Sequence, residues 1–289
     1  MSLRMKEQKL VKRGAYALPS VFTAGTIFCG FYSLMKTFQA VALPPERLAD
    51  AAAGLDLAAI AIGVAVFTDG MDGRIARLTG AVSEFGKELD SLADVITFGI
   101  APALLAFAWG VRLIEPASGG WFAEHFTRFG YFLSFVFLVC GAARLARFNV
   151  QRNPVPKNPG RAGRKYFVGL PIPPAAAIVA AVVHASDGYP LRAWLPWGLL
   201  WLALLALLSF LMVCTWRYYS FKEINLSQRR SWVMVVVIAM MIYLIWNYSQ
   251  PVLLAMATVY VSSGIVIRAG GALRRRLKHL PAEPEHQVN

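Results

Sequence analysis

A chain of 289 residues in which 57% of side chains are hydrophobic and only 16% charged, with a mean hydropathy of +0.52, carries too little polar surface to cover a water-soluble globule. A net charge of +13 in a soluble protein would point to nucleic acid, but these cations flank apolar runs, where membrane topology and anionic headgroups account for them without a nucleic-acid role. Three cysteines without CxxC spacing (Cys29, Cys140, Cys214) and four scattered histidines argue against a disulfide scaffold and a zinc site.

In chain order, residues 1–17 alternate apolar side chains with Lys and Arg and predict a short amphipathic helix on a membrane surface. The apolar stretch after them is long and has no small-residue cleavage site, so it reads as a retained first span. Apolar runs predict spans near 18–39, 51–70, 88–110, 128–147, 168–184, 194–214, 231–247 and 250–267, several of them long enough to cross about 30 Å of hydrocarbon. The expectation is an all-α polytopic membrane protein of about eight transmembrane helices, its catalytic domain over 18–267 and a basic, partly disordered tail over 268–289. With these spans, 24 of the 29 Lys and Arg fall on one side, which predicts both termini in the cytoplasm and an even number of crossings in the cytoplasmic membrane. One cytoplasmic loop, Phe148 to Phe167, is rich in Pro, Gly and cations and is free to lie over whatever opens there.

The chemistry concentrates between the second and third spans. Six of the 16 acidic residues (Asp69, Asp72, Glu84, Glu88, Asp90, Asp94) lie in one stretch beside the bilayer, where carboxylates are costly unless paired or bound to metal. Asp69 and Asp72 are three residues apart and Asp90 and Asp94 four apart, so each pair shares a helix face. Gly80 and Gly86 allow the chain to reverse between them, bringing the pairs face to face. Four carboxylates without His or Cys suit hard divalent cations such as Mg²⁺ or Mn²⁺, and two ions suit phosphoryl transfer. Gly73 and Gly86 leave room for a diphosphate, and Arg77 offers it a planar cation. Carboxylates on spanning helices are also compatible with a divalent-cation transporter, although no second acidic set marks a pathway.

The spacing D-x2-D-G-x2-A-R-x8-G-x3-D-x3-D, filled by Asp69, Asp72, Gly73, Ala76, Arg77, Gly86, Asp90 and Asp94, resembles the signature of the CDP-alcohol phosphatidyltransferase family. The resemblance implies a six-helix core plus two further helices, a homodimer, and transfer from a CDP-linked lipid to an alcohol with loss of CMP. By position it implies Asp69, Asp72, Asp90 and Asp94 as metal ligands, Asp94 also as base, and Gly73, Ala76, Arg77, Ser83 and Gly86 at the CDP-lipid.

Three further segments, Asp90 to Ala103, Ala143 to Asn149 and Tyr166 to Ala177, are similar to the serine-accepting, membrane-integral members of bacterial and archaeal type. With the segment from Leu18 to Phe31 the likeness extends over most of residues 18–180, although Ser20 stands where that pattern has Asn. It implies CDP-diacylglycerol and L-serine as substrates; glycerol 3-phosphate or inositol phosphate is the alternative acceptor within the family. A serine carboxylate calls for a cation, and Arg144, Arg147 and Lys165 are the candidates.

Overall fold

The computed structural model describes residues 2–79, 84–113, 121–150, 166–190, 195–219 and 231–278. Eight helices lie among them: α1 (Ser2–Ala42), α2 (Leu48–Thr79), α3 (Glu84–Arg112), α4 (Trp121–Val150), α5 (Ile172–Ala185), α6 (Leu195–Val213), α7 (Ser231–Asn247) and α8 (Ser249–Lys278). A helix covers each of the apolar runs. Among the described residues, five apolar stretches are long enough to cross a membrane: Pro45–Met71, Glu84–Arg112, Ala123–Val150, Pro196–Val213 and Ser249–Gly270.

The all-α expectation needs one correction. Residues Tyr166–Val168 (β1) and Arg217–Tyr219 (β2) pair antiparallel, Phe167 opposite Tyr218, in a two-stranded ribbon between the start of α5 and the end of α6. The ribbon satisfies backbone groups where α6 has ended and proline delays α5, which has Pro at its first turn behind an extended Pro171. At the C-terminal side α8 continues as helix through residues 268–278, into the basic tail. At the other terminus α1 runs unbroken from the basic segment into the first span.

Helix contacts rest on small side chains spaced three and four apart. On α2, Ala51, Ala52, Leu55, Ala58, Ala59, Ile62 and Ala65 are buried, and on α1 Thr23, Thr26, Ser33, Thr37 and Ala40 form the facing stripe. Without a hydrophobic drive between helices in lipid, such stripes let backbones approach closely and let hydroxyls bond across. The centre of the core is α5, where Ala175, Ala176, Ile178, Val179, Ala180 and Val183 are buried against α2 and α8.

α3 is not a uniform helix. Val95–Ile100 and Ala108–Arg112 widen into π turns, the first starting one residue after Asp94. Such bulges cluster at functional sites because the extra residue re-aims the side chains beside it. Trp109 ends up against Trp201, ring centroids 4.8 Å apart, with its Nε1 donating to the Tyr189 carbonyl at 2.8 Å.

The turn after α5 sets one geometric limit. Gly188 has φ +69°, and a Cβ there would lie 2.0 Å from the Ala52 carbonyl oxygen on α2. Gly188→Ala is therefore expected to cost at least about 2 kcal/mol, from left-handed strain plus overlap with a backbone atom that cannot move aside. A thermal midpoint unchanged in detergent would refute this.

Candidate functional site

Asp69, near the end of α2, and Asp90 and Asp94, on consecutive turns of α3, converge. One carboxylate oxygen from each lies within 4.8 Å of those of the other two, and all three side chains are half-buried. Three anionic oxygens so close repel strongly unless cations sit among or beside them. Among the described residues a protein cation is at hand: Arg144 of α4, only 7% exposed, interacts electrostatically with Asp94. Its guanidinium also stacks over the Phe148 ring at 5.5 Å from the centroid.

Hydrogen bonds between helices flank each carboxylate and tie α1, α2, α3 and α4 together. Thr26 of α1 is the hub, with its Oγ1 3.1 Å from Thr68 Oγ1, the residue before Asp69. Its carbonyl accepts from Thr97 Oγ1 at 3.0 Å, three residues after Asp94. Thr97 fits only because Gly30 faces it; a Cβ at Gly30 would come within 2.5 Å of Thr97 Oγ1. Beside Asp90, Ser91 donates to the Lys87 carbonyl and accepts from Asn149 Nδ2 of α4, each at 2.9 Å. These residues were missed in the sequence because lone Thr and Ser on apolar helices carry no motif. The faint signal is the stripe of hydroxyls at helical spacing on α1.

The other expected site residues divide as follows. Gly86 lies in the first turn of α3, not in the reversal, because that helix begins at Glu84. Gly73, Ala76 and Arg77 are on the last turns of α2, but their side chains, and that of Asp72, lie outside the described residues. Ser83, Gly80, Lys165 and the heart of the Pro-rich loop fall outside them altogether. Arg147 is engaged elsewhere: its Nη1 donates to the Val213 carbonyl at 2.9 Å and its Nη2 to the Val168 carbonyl at 3.1 Å. It thus caps the end of α6 and pins β1, whereas Arg144 is the arginine turned toward the carboxylates.

Comparison with known proteins fits this geometry. The CDP-alcohol phosphatidyltransferase family profile matches residues 16–207. The chain is 32% identical over 261 residues to a CDP-diacylglycerol–serine O-phosphatidyltransferase of Helicobacter pylori, covering 87% of this chain and 90% of that protein. It is 42% identical over 116 residues to the enzyme of that name from Saccharomyces cerevisiae, covering 40% of this chain and 37% of the yeast protein. An archaetidylserine synthase of Methanothermobacter thermautotrophicus is 37% identical over 131 residues, 44% of this chain and 46% of its own length.

Proposed function

The chain belongs to the CDP-alcohol phosphatidyltransferase family, and on that premise we propose that it transfers the phosphatidyl group of CDP-diacylglycerol to the hydroxyl of L-serine with release of CMP. The observation that carries the reading is the convergence of Asp69, Asp90 and Asp94 within the family motif on membrane-embedded helices.

An all-oxygen donor set of three carboxylates fits a hard divalent cation and suits neither zinc nor copper. Asp69, Asp90 and Asp94, with Asp72 from the same helix as Asp69, are the residues to hold Mg²⁺ or Mn²⁺, as two ions in our reading. When bound, the metal supplies positive charge against the diphosphate and the departing phosphate of CMP.

Asp94 acts as base. A serine hydroxyl is a weak nucleophile at neutral pH, so a carboxylate in reach must take its proton as the oxygen bonds to the phosphatidyl phosphorus. The bond from that phosphorus to the CMP phosphate breaks, and the proton held on Asp94 leaves to solvent afterwards. Gly73, Ala76, Arg77, Ser83 and Gly86 contact the CDP-lipid. Arg144 receives the serine carboxylate, with Arg147 and Lys165 the further candidate cations.

In the same reading the protein is a homodimer in the cytoplasmic membrane with eight crossings, both termini and the acidic site on the cytoplasmic side. Of the 29 Lys and Arg, the 24 that share a side support this orientation.

Membranes containing the protein, given CDP-diacylglycerol, Mn²⁺ or Mg²⁺ and labelled serine, are expected to yield lipid-soluble label together with CMP. A chelator should abolish both, and returning the metal should restore them. Label entering lipid from glycerol 3-phosphate but not from serine would overturn the acceptor while leaving the chemistry standing.

A further inference from the structure

The family profile ends at residue 207, yet α8, which begins at Ser249, is built onto the core at its start and again near its middle. At its start, Ser249 Oγ lies 2.8 Å from His184 Nε2, and His184 Nδ1 lies 2.5 Å from Asp56 Oδ1, a relay that joins α8, α5 and α2. Gln250 donates to Asp187 beside it. Polar groups screened from water repay their desolvation only when bonded to one another, so this junction resists displacement.

Farther along α8, the anchor is Tyr218 of β2. It is fully buried, its hydroxyl donates to the Val261 carbonyl at 3.4 Å, and its ring lies 6.0 Å from that of Tyr260 and directly against Gly264. Burial pushes the Tyr218 phenol up to about 12, so it stays protonated and remains a donor. The strand paired with β2 is the one whose Val168 carbonyl Arg147 holds. Tyr260 is therefore held between two fixed points.

Depth in the bundle puts Tyr260 close to the level of the acidic cluster. Asp56 and Asp69 are thirteen residues apart on α2, about 20 Å at 1.5 Å per residue. α8 starts at the Asp56 end and runs toward the Asp69 end, and Tyr260, eleven residues past Ser249, has covered about 16 Å of that distance. Tyr260 is half-buried, and the Arg144 guanidinium lies within electrostatic range of both Tyr260 and Asp94. A carboxylate that binds one guanidinium keeps lone pairs for a further donor, and a phenol hydroxyl at the same level of the bundle can supply one.

We propose that Tyr260, on the helix beyond the family-matched region, is a specificity-determining residue of the acceptor pocket, its hydroxyl meeting the acceptor's carboxylate together with Arg144. The inference rests on the serine-transfer reading above. It also gives the relay at Asp56, His184 and Ser249 a task, which is to hold α8 at the depth where Tyr260 reaches Arg144.

Tyr260→Phe keeps the ring and removes only the hydroxyl, so initial rates of the full-length protein in detergent read the proposal directly. The expected result is a KM for serine raised about tenfold, with kcat, the KM for CDP-diacylglycerol and the thermal midpoint little changed. In an Arg144→Ala background the same substitution should have a clearly smaller effect on the serine KM, because both groups serve one carboxylate. An unchanged serine KM, equal rises in both KM values, or full additivity with Arg144→Ala overturns the proposal. A wild-type protein that transfers nothing to serine overturns the functional reading and this inference with it; an active wild type with an unaffected Tyr260→Phe overturns this inference alone.

Discussion

Asp94→Asn is expected to lower kcat by about three orders of magnitude, within the range general-base groups contribute, while the protein still folds and inserts. Asn preserves the shape of Asp94 but cannot accept the serine proton, and it is a weaker ligand for a cation shared with Asp69 and Asp90. The two losses can be separated by titrating Mn²⁺. Activity restored at high metal would show that Asp94 matters as a ligand alone, whereas a loss that no metal concentration repairs matches the base. Thermal unfolding and chemical crosslinking check that the bundle is intact. Turnover near the wild-type level would remove Asp94 from the mechanism. The neighbouring carboxylates offer no substitute: Asp69 comes from another helix, and Asp90 is one turn away beside the Ser91–Asn149 bond.

The second large effect is expected at Arg144. Its guanidinium is buried beside Asp94, so Arg144→Ala removes both a carboxylate partner for serine and a positive charge near three converging acids. Hydrogen bonds to charged groups are worth about 1.5–3 kcal/mol, which corresponds to a serine KM raised by about 10- to 100-fold. The KM for CDP-diacylglycerol should move far less. Arg144→Lys keeps the charge without the planar fork and should fall between. Arg147→Ala is the instructive contrast. Because that side chain holds the Val213 and Val168 carbonyls, its removal should lower the thermal midpoint before it touches serine affinity. If the Arg144 and Arg147 variants behaved alike, direct contact between Arg144 and serine would be lost as an explanation.

The helices and the carboxylate motif were legible because both are local. A run of about 20 apolar residues is a helix in lipid whatever surrounds it, since a backbone without water must bond to itself. Asp90 and Asp94 share a face because four residues make a turn. The joint between the two helices was less legible: Gly86 looked like part of the reversal, but α3 begins two residues before it. The β1–β2 ribbon was not legible at all. Its strands are three residues long, and their partners lie about fifty positions apart, so no alternation could announce the pairing. His184 looked like one of four unrelated histidines, and only folding brings Asp56 and Ser249 to its two nitrogens.

The arginines mark the boundary most clearly. Both belong to one short segment of α4, and as residue types they are the same cation three positions apart. Spacing, hydropathy and charge are properties of the chain read along its length, and they sufficed for a membrane protein with an acidic cluster suited to hard cations, to which the family resemblance added the activity. Which guanidinium turns to the acids and which ties down a strand and a helix end depends on neighbours 21 and 66 positions away, and those neighbours exist only after the helices have packed. The placing of α8, with Tyr260 carried to the level of the acids, was likewise decided by packing, because its anchors come from three separate segments of the chain.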